Sequence, residues 1–210
     1  MVQMTEISEL LQKGKAKDVV TLVQQAVEEG VSAETILKEG LLAGMEVVGR
    51  RFRDNEIFVP EVLVAARAMN KGAEVLRPLL AKEGVTASGK VCIGTVKGDM
   101  HDIGKNLVKM MLEGKGLEVI DLGTDVPVEK FIQTAIEEDC RVICSSALLT
   151  TTMPEMELLV KAANEAGIRD KVKIMVGGAP ITQEFADSIG ADAYAEDAAS
   201  AADIAVSFCK

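Results

Sequence analysis

The sequence predicts an all-α four-helix domain followed by an α/β domain on a parallel five-stranded sheet, and three observations predict it. Residues 5–82 carry helical apolar spacing without a run of alternating strand-type residues. The segment EGVTASGK, residues 83–90, combines two glycines with small polar residues and has no apolar period. From residue 91 onward, short apolar strands alternate with helices, the pattern of a sheet covered on both faces by right-handed crossovers. The expected organisation is a helical domain over 1–84, a linker over 85–90 and an α/β domain over 91–210.

In the first domain, helices are expected near 5–13, 16–29, 33–53 and 60–82. Gly14, Gly30 with the N-cap residue Ser32, and the loop Asp54–Val59 before Pro60 separate them. In the last helix Val62, Ala65, Met69, Ala73, Leu76 and Leu80 recur at steps of three and four, which places them on the core side.

In the second domain the strands are VCIGTV (91–96), LEVIDLG (117–123), RVICSSA (141–147), KVKIMVGG (171–178) and ADAYA (191–195). Helices fill the intervals: about 103–114, then from Pro127, from near Pro154, from about Thr182, and a final one to Cys209. The expected result is a doubly wound, flavodoxin-like (Rossmann-like) domain with strand order 2-1-3-4-5. Ligands of such sheets bind beyond the carboxyl ends of strands 1 and 3.

Composition narrows the function. Lys plus Arg total 23 against 33 for Asp plus Glu, a formal charge of −10, which opposes binding to a phosphate backbone. No apolar stretch reaches the ~18 residues of a membrane span, and the N-terminus lacks the apolar core of a secretion signal, so a cytoplasmic protein is expected. Cys92, Cys140, Cys144 and Cys209 form no CxxC pair, and Cys92 and Cys144 lie inside strands as small hydrophobes. With no Trp and one Tyr, aromatic stacking surfaces are scarce.

The chemistry gathers in the loop after the first strand, GTVKGDMHDIGKNLV, which holds the chain's single histidine, His101. A lone histidine is often only a hydrogen-bonded structural residue. Here Asp99, two residues earlier, can accept from one imidazole nitrogen and leave the other for a metal. Gly98 and Gly104 permit a tight turn and close approach of a bulky ligand. Ser145-Ser146-Ala147-Leu148 and Thr150–Thr152 follow strand 3, and Gly177-Gly178 follow strand 4, all at carboxyl ends. Caps and turns also explain each of these taken singly. Neither GxGxxG nor GxxxxGK[ST] is present, and a phosphoacceptor receiver would end strand 3 in Asp, where this chain has serine.

Asp99-Met100-His101-Asp102-Ile103-Gly104, Ser146-Ala147-Leu148 and Gly177-Gly178 resemble the corrinoid-binding signature DxHxxG, SxL, GG. The intervals, 41 residues between Gly104 and Ser146 and 28 between Leu148 and Gly177, match its methyltransferase type. GMEVVGRRF (44–52) and NEIFVPEVLVAARAM (55–69) resemble the helical cap of the same proteins. The resemblance thus covers nearly the whole chain and extends to the corrinoid proteins of methylamine, methanol and methoxyaromatic demethylation and to the cobalamin module of methionine synthase.

That resemblance implies a corrinoid (cobalamin or a related cobamide) bound base-off, with His101 as lower cobalt ligand. It places Asp99 and Ser146 behind the histidine as a proton relay. Gly94, Thr95, Gly98, Ile103, Gly104, Gly123, Leu148, Thr150, Gly177, Gly178 and Ala179 match positions lining the corrin edge or the buried nucleotide tail. Tyr194 matches either a tail contact or sheet packing, and Phe58 the cap position over the upper face. Asp102 and Asp121 stand near the polar network but are left out of the relay, Asp102 being equally well explained as a charge favouring the following helix N-terminus.

The implied function is a methyl carrier cycling between Co(I) and methyl-Co(III). Its implied partners are a substrate-specific methyltransferase, an acceptor methyltransferase using tetrahydrofolate or another acceptor, and a reductive activation protein. It is more a carrier subunit than a free-standing enzyme. A corrinoid-dependent sensor and the small subunit of an adenosylcobalamin mutase are the alternatives.

Overall fold

The computed structural model describes residues 2–210, which divide into two compact units. One runs to Ala87 and includes Gly114–Gly116; the other comprises Ser88–Glu113 and Leu117–Lys210. No helix among the described residues is long and apolar enough to cross a membrane.

The first unit is helical: α1 (Met4–Gln12), α2 (Ala16–Glu28), α3 (Ala33–Thr35), a π-helical turn Ile36–Leu42, α4 (Ala43–Arg53) and α5 (Val59–Glu83). Backbone angles stay right-handed helical from Ile36 through Ala43, so the stretch expected as one helix over 33–53 runs without interruption. Ser32 caps its start by accepting the Thr35 N–H at 3.1 Å. Gly84, in the left-handed conformation at φ 70°, ends α5. The apolar stripe of α5 buries Val62, Ala65, Met69 and Leu76, while Ala73 and Leu80 are half-buried. The bundle is close-packed: a Cβ on Gly72 would stand 2.9 Å from Leu41 Cδ2 and 3.1 Å from Val19 Cγ1.

The second unit holds β1 (Lys90–Thr95), α6 (Ile103–Glu113), β2 (Glu118–Asp121), α7 (Val128–Glu137), β3 (Val142–Ser146), α8 (Pro154–Glu165), β4 (Lys173–Gly177), α9 (Gln183–Ile189), β5 (Ala193–Tyr194) and α10 (Ala198–Cys209). All pairings are parallel and the order is β2-β1-β3-β4-β5, as expected. On one face, Cys92, Ile143, Ile174 and Val176 pack with Phe131 of α7 and Met156 and Leu159 of α8. Helices α6 and α10 lie together and meet β1, β2 and β3. The free thiols of Cys92, Cys140 and Cys144 are buried, and burial pushes that of Cys144 up to about 12.

The register puts Thr95 beside Ser146 and Ser146 beside Gly177, so β1, β3 and β4 end level. Past that line backbone bonds continue the alignment. Val96 N–H donates to the Ser146 carbonyl at 3.0 Å, and Ala147 N–H to the Gly177 carbonyl at 3.1 Å.

Candidate functional site

Everything at this edge converges on the carboxylate of Asp99, which is fully buried. Its Oδ1 accepts the His101 backbone N–H at 3.1 Å and lies 2.7 Å from His101 Nδ1. Its Oδ2 accepts the N–H groups of Leu148 at 2.7 Å and Leu149 at 3.2 Å, and the Thr152 hydroxyl at 3.0 Å. Burial alone would raise the pKa of this group. The donors from Leu148, His101 and Thr152 override it and hold the carboxyl well below the usual carboxylate range.

An ionised carboxylate only accepts, so the proton between it and the ring sits on Nδ1. The lone pair of Nε2 is thereby left for another partner. The His101 side chain is 52% exposed although its anchoring carboxylate is not exposed at all. Thr95, buried at the end of β1, fixes the loop further by donating its hydroxyl to the His101 carbonyl at 2.7 Å.

The surroundings suit a broad apolar ligand. Met100 (69%), Ile103 (78%), Leu148 and Leu149 are all exposed on the two loops that carry and support His101. Exposed large hydrophobic groups gathered beside one free imidazole nitrogen form a surface that water penalises until it is covered. At Gly104 a side chain would meet nothing within 4 Å, so the approach is open. Gly178 is confined instead: at φ 133° its Cβ would stand 1.9 Å from the Ala147 carbonyl oxygen. Gly178 therefore lets the chain leaving β4 pass directly against the loop that feeds Asp99 its donors. Among the described residues, no group of three or more His, Cys, Asp or Glu side chains is arranged to hold a metal ion. A metal taken here by Nε2 must bring its other ligands with it.

Several expected positions lie elsewhere or act differently. The hydroxyl behind the histidine is that of Thr152, not Ser146. Ser146 is the last residue of β3 and offers its carbonyl to Val96, whereas the turn at 148–152 curls back over Asp99 and delivers the later hydroxyl. Among the described residues the neighbouring Ser145 hydroxyl, which is buried, finds no partner. Gly94 is buried, and a Cβ there would lie 2.8 Å from the Phe131 ring, so its smallness serves packing. Tyr194 packs against the apolar core under the sheet.

Thr150 is exposed in the turn before α8, and Ala179 is exposed after β4. Gly123, at φ 86°, accepts the Thr95 N–H at 2.9 Å and donates to Asp121 at 3.0 Å. Asp121 stands apart from Asp99: it pairs with the buried Lys105 at 2.6 Å and with Lys109 at 3.2 Å. Asp102 takes the Asn106 side-chain amide at 3.0 Å at the head of α6. In the helical unit Phe58 is 64% exposed at the start of α5, whereas Val62, Ala65 and Met69 are core.

Comparison with known proteins decides the family. The B12 binding domain matches residues 89–203, and a second family described as a B12 binding domain matches residues 3–77. The chain belongs to the B12-binding corrinoid proteins. It is 46% identical over 195 residues to trimethylamine corrinoid protein 1 of Methanosarcina acetivorans, covering 88% of this chain and 90% of that one. A corrinoid protein of Desulfitobacterium hafniense is 41% identical over 208 residues, covering 98% and 96%. Among solved structures, the methanol:cobalamin methyltransferase complex MtaBC of Methanosarcina barkeri aligns with a TM-score of 0.87 at 34% identity, over 97% of this chain and 78% of that one.

The residues of this corrinoid protein fit the group its family binds. A corrin brings four ring nitrogens to its cobalt, so such a group would call on the protein for an apolar bed and could accept one further nitrogen donor. His101 Nε2 and the Met100, Ile103, Leu148 and Leu149 side chains offer these.

Proposed function

We propose that this corrinoid protein carries a methyl group between two methyltransferases, with His101 Nε2 as the lower ligand of a corrinoid bound base-off. A bound corrinoid supplies a cobalt centre able to take up and give up a methyl group. The observation that carries the reading is the single imidazole whose Nδ1 is tied to a buried, ionised Asp99 while Nε2 stays free.

In this reading Asp99 orients the ring, fixes its tautomer and strengthens Nε2 as a donor. Asp99, 2.7 Å from Nδ1, would oppose any positive charge on the ring. Thr152 and the Leu148 and Leu149 N–H groups keep that carboxylate ionised throughout. Phe58, Leu63 and Val64 give the helical unit an exposed apolar surface of its own. The proposed partners are a methylamine- or methanol-specific methyltransferase, an acceptor methyltransferase using tetrahydrofolate or another acceptor, and a reductive activation protein.

Protein reconstituted with cobalamin and reduced to Co(I) should take one methyl per cobalt from trimethylamine, dimethylamine, monomethylamine or methanol when the cognate methyltransferase is added. It should release that methyl on addition of an acceptor enzyme. Tight corrinoid binding without methyl uptake from any of these donors would instead favour the sensor or mutase-subunit readings.

A further inference from the structure

Asp125 lies outside the signature residues, yet it grips the histidine loop from the side opposite Thr152. The loop opens with a tight turn in which Asp99 N–H donates to the Val96 carbonyl at 3.1 Å. Gly98 occupies the third position of that turn at φ 80°, where only a left-handed residue fits. The central peptide of such a turn can flip by half a revolution with little displacement of its ends. Here it is held: Gly98 N–H donates to Asp125 Oδ1 at 2.7 Å.

The grip is reciprocal. Asp125 N–H donates to the Asp99 carbonyl at 3.0 Å, so one residue binds the backbone on both sides of the Gly98–Asp99 peptide. Asp125 adopts φ 54°, a left-handed conformation that most side chains avoid and that Asp and Asn tolerate best. Around it the β2–α7 connection is stitched to the end of β1. Thr95 N–H donates to the Gly123 carbonyl at 2.9 Å, Val126 N–H donates to the Thr95 carbonyl at 3.0 Å, and Val96 and Val126 form a parallel bridge. Asp99 is thus tethered through its side chain to the loop after β3 and through its backbone to the loop after β2.

We infer that Asp125 is a positioning residue: by locking the Lys97–Gly98 peptide it aims Asp99, and through Asp99 it sets the tautomer and direction of the His101 ring for cobalt ligation. The inference rests on the reading of His101 as that ligand. Side-chain oxygen and backbone conformation contribute separately, and substitution can separate them. Asp125→Ala removes the oxygen and strains φ, Asp125→Gly removes the oxygen but relaxes φ, and Asp125→Asn keeps both an oxygen acceptor and a residue tolerant of that φ.

Because the chain has one histidine, nitrogen NMR of 15N-histidine-labelled, cofactor-free protein reports His101 without overlap. The wild type and Asp125→Asn should carry the proton on Nδ1. Asp125→Ala and Asp125→Gly should show a mixture with the Nε2-protonated form. Cobalamin affinity should fall roughly tenfold in those two variants, at the lower end of the range for lost ligand-supporting bonds, and recover to within about twofold in Asp125→Asn.

Wild-type tautomer and affinity in Asp125→Gly would overturn the inference, and so would a lowered melting temperature with the tautomer unchanged. If instead wild type and His101→Ala bind cobalamin equally, the ligand reading falls. The NMR comparison in cofactor-free protein then still decides whether Asp125 sets the ring.

Discussion

Asp99→Asn should lower the stability of the cofactor-free protein by about 3 kcal/mol, a fall in melting temperature of roughly 10 °C, and weaken cobalamin binding by about 10- to 100-fold. The buried carboxylate accepts from five donors: the His101 N–H and ring, the Leu148 and Leu149 N–H groups and the Thr152 hydroxyl. An amide keeps one acceptor oxygen and turns an NH2 group against donors. Their hydrogen bonds are then lost in a site water does not reach.

The pH dependence has a definite sign. The folded protein holds this carboxyl below its usual range, so its contribution is complete above the unfolded value of about 3.9 and is lost as pH falls through the lower folded value. Thermal melts of wild type and Asp99→Asn should therefore stay a constant interval apart from neutral pH to about 5 and converge under stronger acid. Equal melting temperatures at neutral pH would contradict the geometry described.

Gly178→Ala should cost more than its single methyl suggests, about 3 kcal/mol or beyond, because two penalties coincide. The Cβ would stand 1.9 Å from the Ala147 carbonyl oxygen and 2.9 Å from its carbon, both backbone atoms that cannot rotate aside, and φ 133° is itself unfavourable for alanine. Relief requires β3 and β4 to part at their carboxyl ends, where Ala147 N–H meets the Gly177 carbonyl at 3.1 Å. Leu148 and Leu149 follow directly, so the shift reaches Asp99 and then His101, and cobalamin affinity should fall together with stability. A Gly178→Ala protein with wild-type melting and wild-type affinity would show that this crossing carries no constraint. Gly104→Ala, where the protein leaves the space open, is the control for melting temperature alone.

The strand order was legible because apolar runs, glycines and helix starts repeat in a period that few folds satisfy. Pro127 and Thr182 stand at the predicted helix openings as the N-caps of α7 and α9, and Pro154 is the first residue of α8. The pairing of His101 with Asp99 was legible from a two-residue spacing, since a short loop leaves few other places for the carboxylate.

What the sequence conceals is which distant group reaches the same carboxylate. Ser146 and Thr150–Thr152 all offer hydroxyls after β3, and only the curl of the turn selects Thr152. Asp125 gives a fainter signal, an Asp between Gly123 and Pro127 where a left-handed residue is tolerated. Its target, 27 residues earlier, is fixed by β1 and β2 lying side by side. Gly94 is a different case: a small residue in a strand next to a ligand edge reads as clearance for ligand, whereas here the Phe131 ring fills that space.

The most direct measurement is the electron paramagnetic resonance spectrum of the cobalt(II) form of protein reconstituted with cobalamin, with the one histidine labelled with 15N. Ligation by His101 predicts nitrogen superhyperfine splitting as a triplet in unlabelled protein, a doublet in the labelled sample, and no histidine splitting in His101→Ala. A spectrum indifferent to the label would place the imidazole off the metal and contradict the account.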